Sequence, residues 1–194
     1  MPPKIRKIVK ITAPLLVCAL ASLAALLAAR RMYPLRHEAV IAEMAGKYGL
    51  EEAFVCAVIN TESRFRERAV SSKGASGLMQ LRQPTADWGA SEAGLPDYSY
   101  ERIFEPRFNI EIGCWYISRL LKQYEGDVDL ALAAYNGGSG NVAKWLADKK
   151  YSADGRRLDA IPFKETENYV KKVKKAAKAY RLMFKYVYNY SRST

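Results

Sequence analysis

Apolar positions recur at three- and four-residue spacing along most of the chain, the pattern of amphipathic helices. The clearest stripe is Phe54, Val55, Val58 and Ile59, with Glu62 next on the same face. Further stripes predict helices over 38–47, 107–124, 128–136, 141–149 and about 163–189, and Pro84 opens a short one. No segment shows the two-residue alternation of a strand. The pattern therefore predicts a mainly α domain.

Glu62 ends an otherwise apolar stripe, so the pattern directs one carboxyl group toward the core. A carboxyl group in such a place loses hydration of its charged form, which raises its pKa. It can then hold a proton at neutral pH and give it to a leaving group, as a general acid does. The alternative is a helix-end glutamate that turns outward to solvent. The stripe alone leaves both interpretations open.

The N-terminus has a different pattern. Residues 11–29 carry no charge; the basic residues around them are Lys4, Arg6, Lys7 and Lys10 before, and Arg30 and Arg31 after. A helix of this length spans roughly 28 Å, about the thickness of a bilayer's hydrocarbon core. We predict a basic N-terminus and transmembrane anchor over residues 1–31, a linker over 32–37 and a globular domain over 38–189.

A cleaved signal peptide is the alternative to an anchor, with Ala19-Leu20-Ala21 as its small-x-small site. The apolar run continues well past that site, which favours an uncleaved anchor. Basic residues flank both sides of the run, and their balance favours an N-terminus inside the cell. The domain would then lie on the outer side of the cell membrane.

Net charge and the numbers of cysteine and histidine residues limit the kinds of partner and cofactor that we expect. The chain has 194 residues and a net charge of +11, which favours nucleic acid, acidic lipid headgroups or anionic wall polymers as surroundings. Three scattered cysteines and one histidine, His37, offer neither a disulfide framework nor a zinc site. We interpret His37 as a surface residue and predict no metal or cofactor.

Two glycine-containing segments suit a binding cleft. The run from Ser71 to Gln80 holds two glycines and three serines, which indicates a loop that approaches a partner closely. Tyr135 and Asn136 precede Gly137-Gly138, and their hydroxyl and amide groups suit a sugar. An ordinary helix C-cap explains the second segment equally well.

The last predicted helix is strongly basic on its polar side, which carries Lys171, Lys172, Lys174, Lys175, Lys178, Arg181 and Lys185. Such a helix can bind membranes or nucleic acid. The commoner arrangement is a helix docked on its own domain with a solvated charged face. We expect docking here.

Four ordered blocks carry a family resemblance: Glu62-Ser63, Gly77-Leu78-Met79-Gln80, Ala134-Tyr135-Asn136-Gly137-Gly138, and the ten residues from Ile161 to Val170. Together they closely resemble the soluble-lytic-transglycosylase-type catalytic domain, a lysozyme-like fold that cleaves bacterial peptidoglycan. The resemblance covers roughly residues 36–186. Ser139-Gly140 departs from the common pattern, where many relatives have proline nearby, and this bears on turn shape.

The resemblance implies a role for each matching residue. Glu62 would be the single catalytic acid, first protonating the glycosidic oxygen between N-acetylmuramic acid and N-acetylglucosamine. It would then accept the proton of the muramic acid's own 6-hydroxyl, which closes a 1,6-anhydro ring without water. Residues matching substrate-binding or cleft positions of the family are Ser71, Met79, Gln80, Tyr135, Asn136, Glu165 and Tyr169.

A transglycosylase of this kind needs no second carboxylate, because its nucleophile is already held on the substrate. Glu67 is not used by the family, and we expect Glu165 to orient substrate. The sequence thus predicts a lysozyme-like catalytic domain behind one transmembrane helix, acting on glycan strands without a cofactor. The expected partners are peptidoglycan, the membrane through residues 11–29 and anionic wall polymers, with no nucleic acid. Alternatives are a hydrolytic muramidase, a non-catalytic wall-binding protein and a cationic nucleic-acid binder.

Overall fold

Helices form nearly all the regular structure in the described part of the chain. The computed structural model describes residues 3–188, and side chains over 15–188. The α-helices are α1 Pro3–Met32, α2 Glu38–Tyr48, α3 Glu52–Glu62, α4 Gln83–Glu92, α5 Pro106–Gln123, α6 Val128–Gly137, α7 Ser139–Ala147 and α8 Lys164–Tyr186, with a 3-10 helix at Tyr100–Phe104. Only isolated β-bridges occur among these residues. The mainly α prediction is confirmed.

Helix α3 lies at the centre of the domain. It packs against α8 and α2. Its buried residues surround the helix instead of forming one stripe: Ala53, Val55, Cys56, Ala57, Val58 and Ile59. Small and β-branched side chains allow neighbouring helices to approach closely on both sides. A helix buried in this way ends at Glu62 and so carries that carboxyl group to the edge of the core.

Helix α8 docks on its own domain, as predicted. Its apolar stripe, which includes Val173, Ala177 and Tyr180, is buried against α3 and α6, whereas its lysines are exposed. The helix ends at Tyr186 instead of continuing to the predicted boundary near Asn189, which lies outside the described residues.

Two expectations are corrected. The glycine, prolines and polar residues between Ala90 and Pro106 predict an irregular stretch, but it is not wholly irregular, because α4 extends to Glu92 and a 3-10 helix buries Ile103. His37 is not a surface residue, since its side chain is only 20% exposed and its Nε2 lies 3.1 Å from Oε1 of Glu67. His37 is the N-cap residue just before α2, with a backbone φ of 57°.

Helix α1 exposes most of its apolar side chains over residues 15–32. Leu15, Leu20 and Leu27 are each more than half exposed. Within the described residues, Leu15–Met32 is long and apolar enough to cross a membrane. The side chains of residues 11–14 and of the basic residues before them lie outside the described set.

The segment predicted as a linker packs against the domain. Asn60 of α3 donates a hydrogen bond from Nδ2 to the Met32 carbonyl at 3.0 Å. The Tyr180 hydroxyl of α8 donates to the Pro34 carbonyl at 2.8 Å, and the Tyr33 ring meets the Tyr180 ring edge-on. The end of α1 is therefore tied to both central helices.

Candidate active site

Glu62 is a half-buried carboxyl group at the last residue of α3. Loss of hydration raises the pKa of Glu62 to about 7, and the charge of Glu165 adds to the rise, while interaction with the Tyr169 hydroxyl opposes it. A carboxyl group with this pKa is about half protonated at neutral pH. It can donate a proton and, once ionised, accept one.

Two buried tyrosines lie beside this carboxyl group. The Tyr169 side chain is 6% exposed, and its hydroxyl faces Glu62 without forming a well-aligned hydrogen bond to any described residue. The Tyr135 hydroxyl donates to the Met79 carbonyl at 2.7 Å. Burial, together with the nearby Glu62 charge, raises the pKa of both phenols well above the ordinary value, so both stay neutral.

One wall of the site is the loop from Ser71 to Leu81. The Ser71 hydroxyl accepts a hydrogen bond from the Ala75 amide at 3.0 Å. Gln80 has φ 50° and donates from Nε2 to the carbonyls of Ala69 and Gly77 at 3.1 and 2.9 Å. Because both of these bonds use its nitrogen, the amide oxygen is left to accept a hydrogen bond from the cleft.

Asn109 of α5 holds this loop in place from below. Its Oδ1 accepts from the Met79 amide at 2.7 Å, and its Nδ2 donates to the Ser76 and Ile103 carbonyls at 3.1 and 2.9 Å. A Cβ at Gly77 would lie 2.0 Å from that Nδ2, and the φ there is +81°. Only glycine fits this approach.

The opposite wall comes from the ends of α6 and α8. Asn136 accepts a hydrogen bond at Oδ1 from the Thr166 hydroxyl at 2.8 Å, which fixes its amide at the cleft. Glu165 is 71% exposed, and its Oε2 lies 3.2 Å from Nζ of Lys73 on the loop. This ion pair joins the two walls, and Glu165 keeps the hydration that Glu62 has lost.

The walls enclose a cavity of about 420 Å³. Six of the eight predicted site residues line it: Glu62, Ser71, Gln80, Tyr135, Asn136 and Glu165. Met79 does not, because its side chain is fully buried against Gly113. Tyr169 does not line it either, because it is buried in the core, where its hydroxyl lies near the Glu62 carboxyl group. Both residues support the cleft from within the core instead of forming its surface.

The cavity also contains residues that the sequence did not single out. Lys73 and Arg82 bring positive charge, while Thr85 and Tyr116 add hydroxyl groups. Lys73 could have been found, since it lies inside the serine-glycine loop. Tyr116 on α5 and the buried Asn109 carry no local signal. No cluster of potential metal ligands occurs in the part of the chain that the structure describes.

A helical scaffold that places one half-buried carboxyl group in a polar cleft is the arrangement expected of a lysozyme-like domain. The chain belongs to the Transglycosylase SLT domain family, whose sequence profile matches residues 39–157. The predicted resemblance and fold class are confirmed.

Relatives and solved structures agree with this assignment. The chain is 32% identical over 143 residues to the soluble lytic murein transglycosylase of Salmonella typhimurium, covering 73% of this chain and 22% of the relative. It is 33% identical over 165 residues to membrane-bound lytic murein transglycosylase C of Yersinia enterocolitica, covering 73% and 46%. The chain thus spans less than half the length of either relative.

The solved structures include an inactive glutamate-to-glutamine mutant of lytic transglycosylase Slt from Pseudomonas aeruginosa. It superposes with a TM-score of 0.70 at 34% identity, over 79% of this chain and 25% of that one. A complex of the 70-kDa soluble lytic transglycosylase with bulgecin A has a TM-score of 0.70 at 28% identity, over 78% and 25%.

Proposed function

We propose that this protein is a membrane-anchored peptidoglycan lytic transglycosylase. It cleaves the β-1,4 bond between N-acetylmuramic acid and N-acetylglucosamine and leaves 1,6-anhydromuramic acid ends. The observation that carries the proposal is Glu62, a carboxyl group with a pKa near 7 at the floor of a polar cleft. The names of the relatives, all lytic transglycosylases, support the same reaction.

Glu62 acts twice in this reaction. In its protonated form it gives the proton to the glycosidic oxygen, so the bond from that oxygen to the anomeric carbon of muramic acid breaks. The Glu62 carboxylate then takes the proton of the muramic acid 6-hydroxyl, whose oxygen bonds to the anomeric carbon. No water is consumed, and the acid returns to its protonated form.

The state of the second carboxyl group favours this route over hydrolysis. Glu165 is exposed and paired with Lys73, so it is a weak candidate for a buried nucleophile or water-activating base. A tethered hydroxyl has the kinetic advantage of an intramolecular reaction and needs no second carboxylate. We assign Glu165 to substrate orientation.

The remaining site residues either bind the substrate or support the residues of the cleft. Ser71, Gln80 and Asn136 offer hydroxyl and amide groups to the sugar and its acetamido substituent. Tyr135 presents a neutral phenol beside the acid. Met79 and Tyr169 position the loop and the acid from the core.

The proposal also includes attachment to the membrane through α1. Helix α1 holds the domain on the outer side of a bacterial cell membrane, where the glycan strands lie. The apolar window Leu15–Met32 and the membrane-bound relative from Yersinia support anchoring. The exposed lysines of α8 would keep the domain near anionic wall polymers.

The test is turnover of purified peptidoglycan by the full chain in detergent, measured as release of soluble fragments. Glu62→Gln keeps the shape of the side chain and removes its acid, so we expect a loss of about a hundredfold or more. The matched control, Glu67→Gln, changes an exposed glutamate five residues later and retains activity. A folded Glu62→Gln variant with activity near that of the natural protein would overturn the assignment.

A further inference from the structure

The C-terminal end of α8 exposes apolar side chains. Leu182 is 60% exposed and Tyr186 is 69% exposed. They are four residues apart and therefore share one face of the helix. Lys178 and Lys185 flank the same face, and the Lys185 ammonium lies 4.9 Å from the centre of the Tyr186 ring. We call Leu182, Lys185 and Tyr186 the α8 end patch.

This patch lies next to the end of the proposed membrane helix. The Arg30 guanidinium donates a hydrogen bond to the Val187 carbonyl at 3.3 Å and lies 5.9 Å from the Tyr188 ring centre. The Tyr188 hydroxyl donates to the Tyr33 carbonyl at 2.7 Å. The last turn of α8 therefore lies beside the end of the apolar segment of α1.

The junction holds the patch at that level. Tyr180 binds the Pro34 carbonyl, and Asn60 binds the Met32 carbonyl, so α8 and α3 are both tied to the end of α1. A flexible tether would let the domain turn freely above the bilayer. Contacts on two central helices favour one orientation instead.

We propose that the α8 end patch inserts into the headgroup region of the bilayer that holds α1 and binds anionic lipid there. The inference rests on the proposed anchoring and adds to it a second membrane contact. Tyrosine suits the interface because its ring is apolar and its hydroxyl is polar. Lys185, together with the exposed Arg31 at the end of α1 and Arg36 in the segment after it, suits anionic headgroups.

Two membrane contacts would hold the cleft at a fixed distance from the bilayer. Asn60, which binds the end of α1, lies two residues before Glu62 on the same helix. A domain held by both α1 and the α8 end patch presents its acid at a set distance from the bilayer. Such an enzyme would act on glycan strands within one layer above the membrane.

Site-directed spin labelling of the full chain in phosphatidylglycerol–phosphatidylcholine bilayers tests the inference. Cys56 and Cys114 are fully buried, so they do not compete for the label. Labels are placed separately through Leu182→Cys and Tyr186→Cys in a Cys18→Ser background, so that each variant keeps the other patch residue. The matched control, Lys172→Cys, lies on a similar face of α8, about 21 Å along the helix from position 186.

Collisions of the label with oxygen, which concentrates in lipid, and with a nickel chelate, which stays in water, report its surroundings. We expect labels at 182 and 186 to meet the nickel chelate several-fold less often than the label at 172. This protection should weaken when phosphatidylglycerol is omitted. Equal nickel access at 172, 182 and 186 would overturn membrane insertion, and protection independent of phosphatidylglycerol would overturn the preference for anionic lipid.

A label on the native Cys18, which is exposed on α1, separates this inference from the proposed anchoring. Cys18 in lipid with 182 and 186 in water contradicts only the α8 end patch. Cys18 in water contradicts the anchor itself, and the second contact fails with it.

Discussion

At the scale of single residues, the raised pKa of Glu62 links catalysis to stability. Burial raises this pKa from the ordinary 4.5 to about 7 in the folded protein. The folded state therefore binds the proton more tightly than the unfolded chain. This tighter proton binding stabilises the folded protein. The stabilisation is fully present below pH 4.5 and is lost as pH rises through about 7. At 1.36 kcal/mol for each pH unit, the difference between 4.5 and about 7 lowers the free energy of unfolding by up to about 3 kcal/mol above pH 7.

We predict that Glu62→Gln is inactive yet more stable than the natural protein at pH 8, because it leaves no charge to bury. The gain should reach about 3 kcal/mol at pH 8 and vanish near pH 4, where Glu62 is already neutral. Thermal unfolding of both proteins in detergent at the two pH values measures it. Glu67→Gln provides the control, with no such gain. Equal melting temperatures at pH 8 would show that the Glu62 carboxyl group is not desolvated.

The sequence predicted which residues belong to the candidate site better than it predicted where each side chain lies in the fold. The short blocks predicted Glu62, Gln80, Asn136 and Glu165 as site residues, because the four blocks in order are specific even though each block alone has an ordinary structural explanation, and all four residues line the cavity. They did not reveal that Met79 is buried, since an apolar residue in a loop suits either a cleft or a core. Nor could they reveal Asn109, whose two partners on the loop, Ser76 and Met79, lie 33 and 30 residues away in sequence.

At the scale of elements, the loop from Ser71 to Leu81 depends on α5. Asn109 supplies two buried hydrogen bonds that a loop without regular structure would otherwise lack, and a third to the Ile103 carbonyl of the 3-10 helix. The sequence predicted both the loop and α5, because glycines and a regular stripe are local signals. It could not predict their contact, which arises only when the helices pack. The 3-10 helix at Tyr100–Phe104 was missed for a similar reason, since Ile103 alone in it is buried.

We predict that Asn109→Ala lowers the free energy of unfolding by about 3 kcal/mol, because it leaves a buried amide and buried carbonyls unpaired. Activity should fall as well, since Gln80 and Ser71 lose their support. Chemical or thermal unfolding measures the first effect and fragment release the second. Asn141→Ala is the matched control, as it removes one hydrogen bond to the Gly137 carbonyl at a half-buried position. If the two variants lose the same stability, the loop does not depend on Asn109.

At the scale of the whole molecule, positive charge is concentrated on the exposed side of α8. Lys171 and Lys174 are paired with Glu167 and Asp129, whereas no ion pair is found for Lys175 and Lys178 within residues 15–188. All four line a groove of about 530 Å³. The net charge of +11 predicted an anionic partner, but charge alone does not place it. The fold places Lys175 and Lys178 on one open groove.

We predict that Lys175→Gln with Lys178→Gln weakens binding to purified wall material carrying anionic polymers and reduces its dependence on salt. Fewer charges at the contact release fewer counterions, so the salt slope becomes shallower. Sedimentation with wall material across a salt series measures the effect. The control pair Lys122→Gln with Lys144→Gln removes the same charge from exposed positions on α5 and α7. Identical salt slopes for both pairs would mean that the groove has no special part in binding.

The central claim is that Glu62 cuts glycan by intramolecular transfer without water. It is tested most directly by digesting purified peptidoglycan with the full chain in ¹⁸O-labelled water and weighing the fragments by mass spectrometry. We expect ends of anhydromuramic acid, one water lighter than hydrolytic products and free of ¹⁸O, and none of them with Glu62→Gln. Reducing ends that carry ¹⁸O would contradict the claim and make the protein a muramidase.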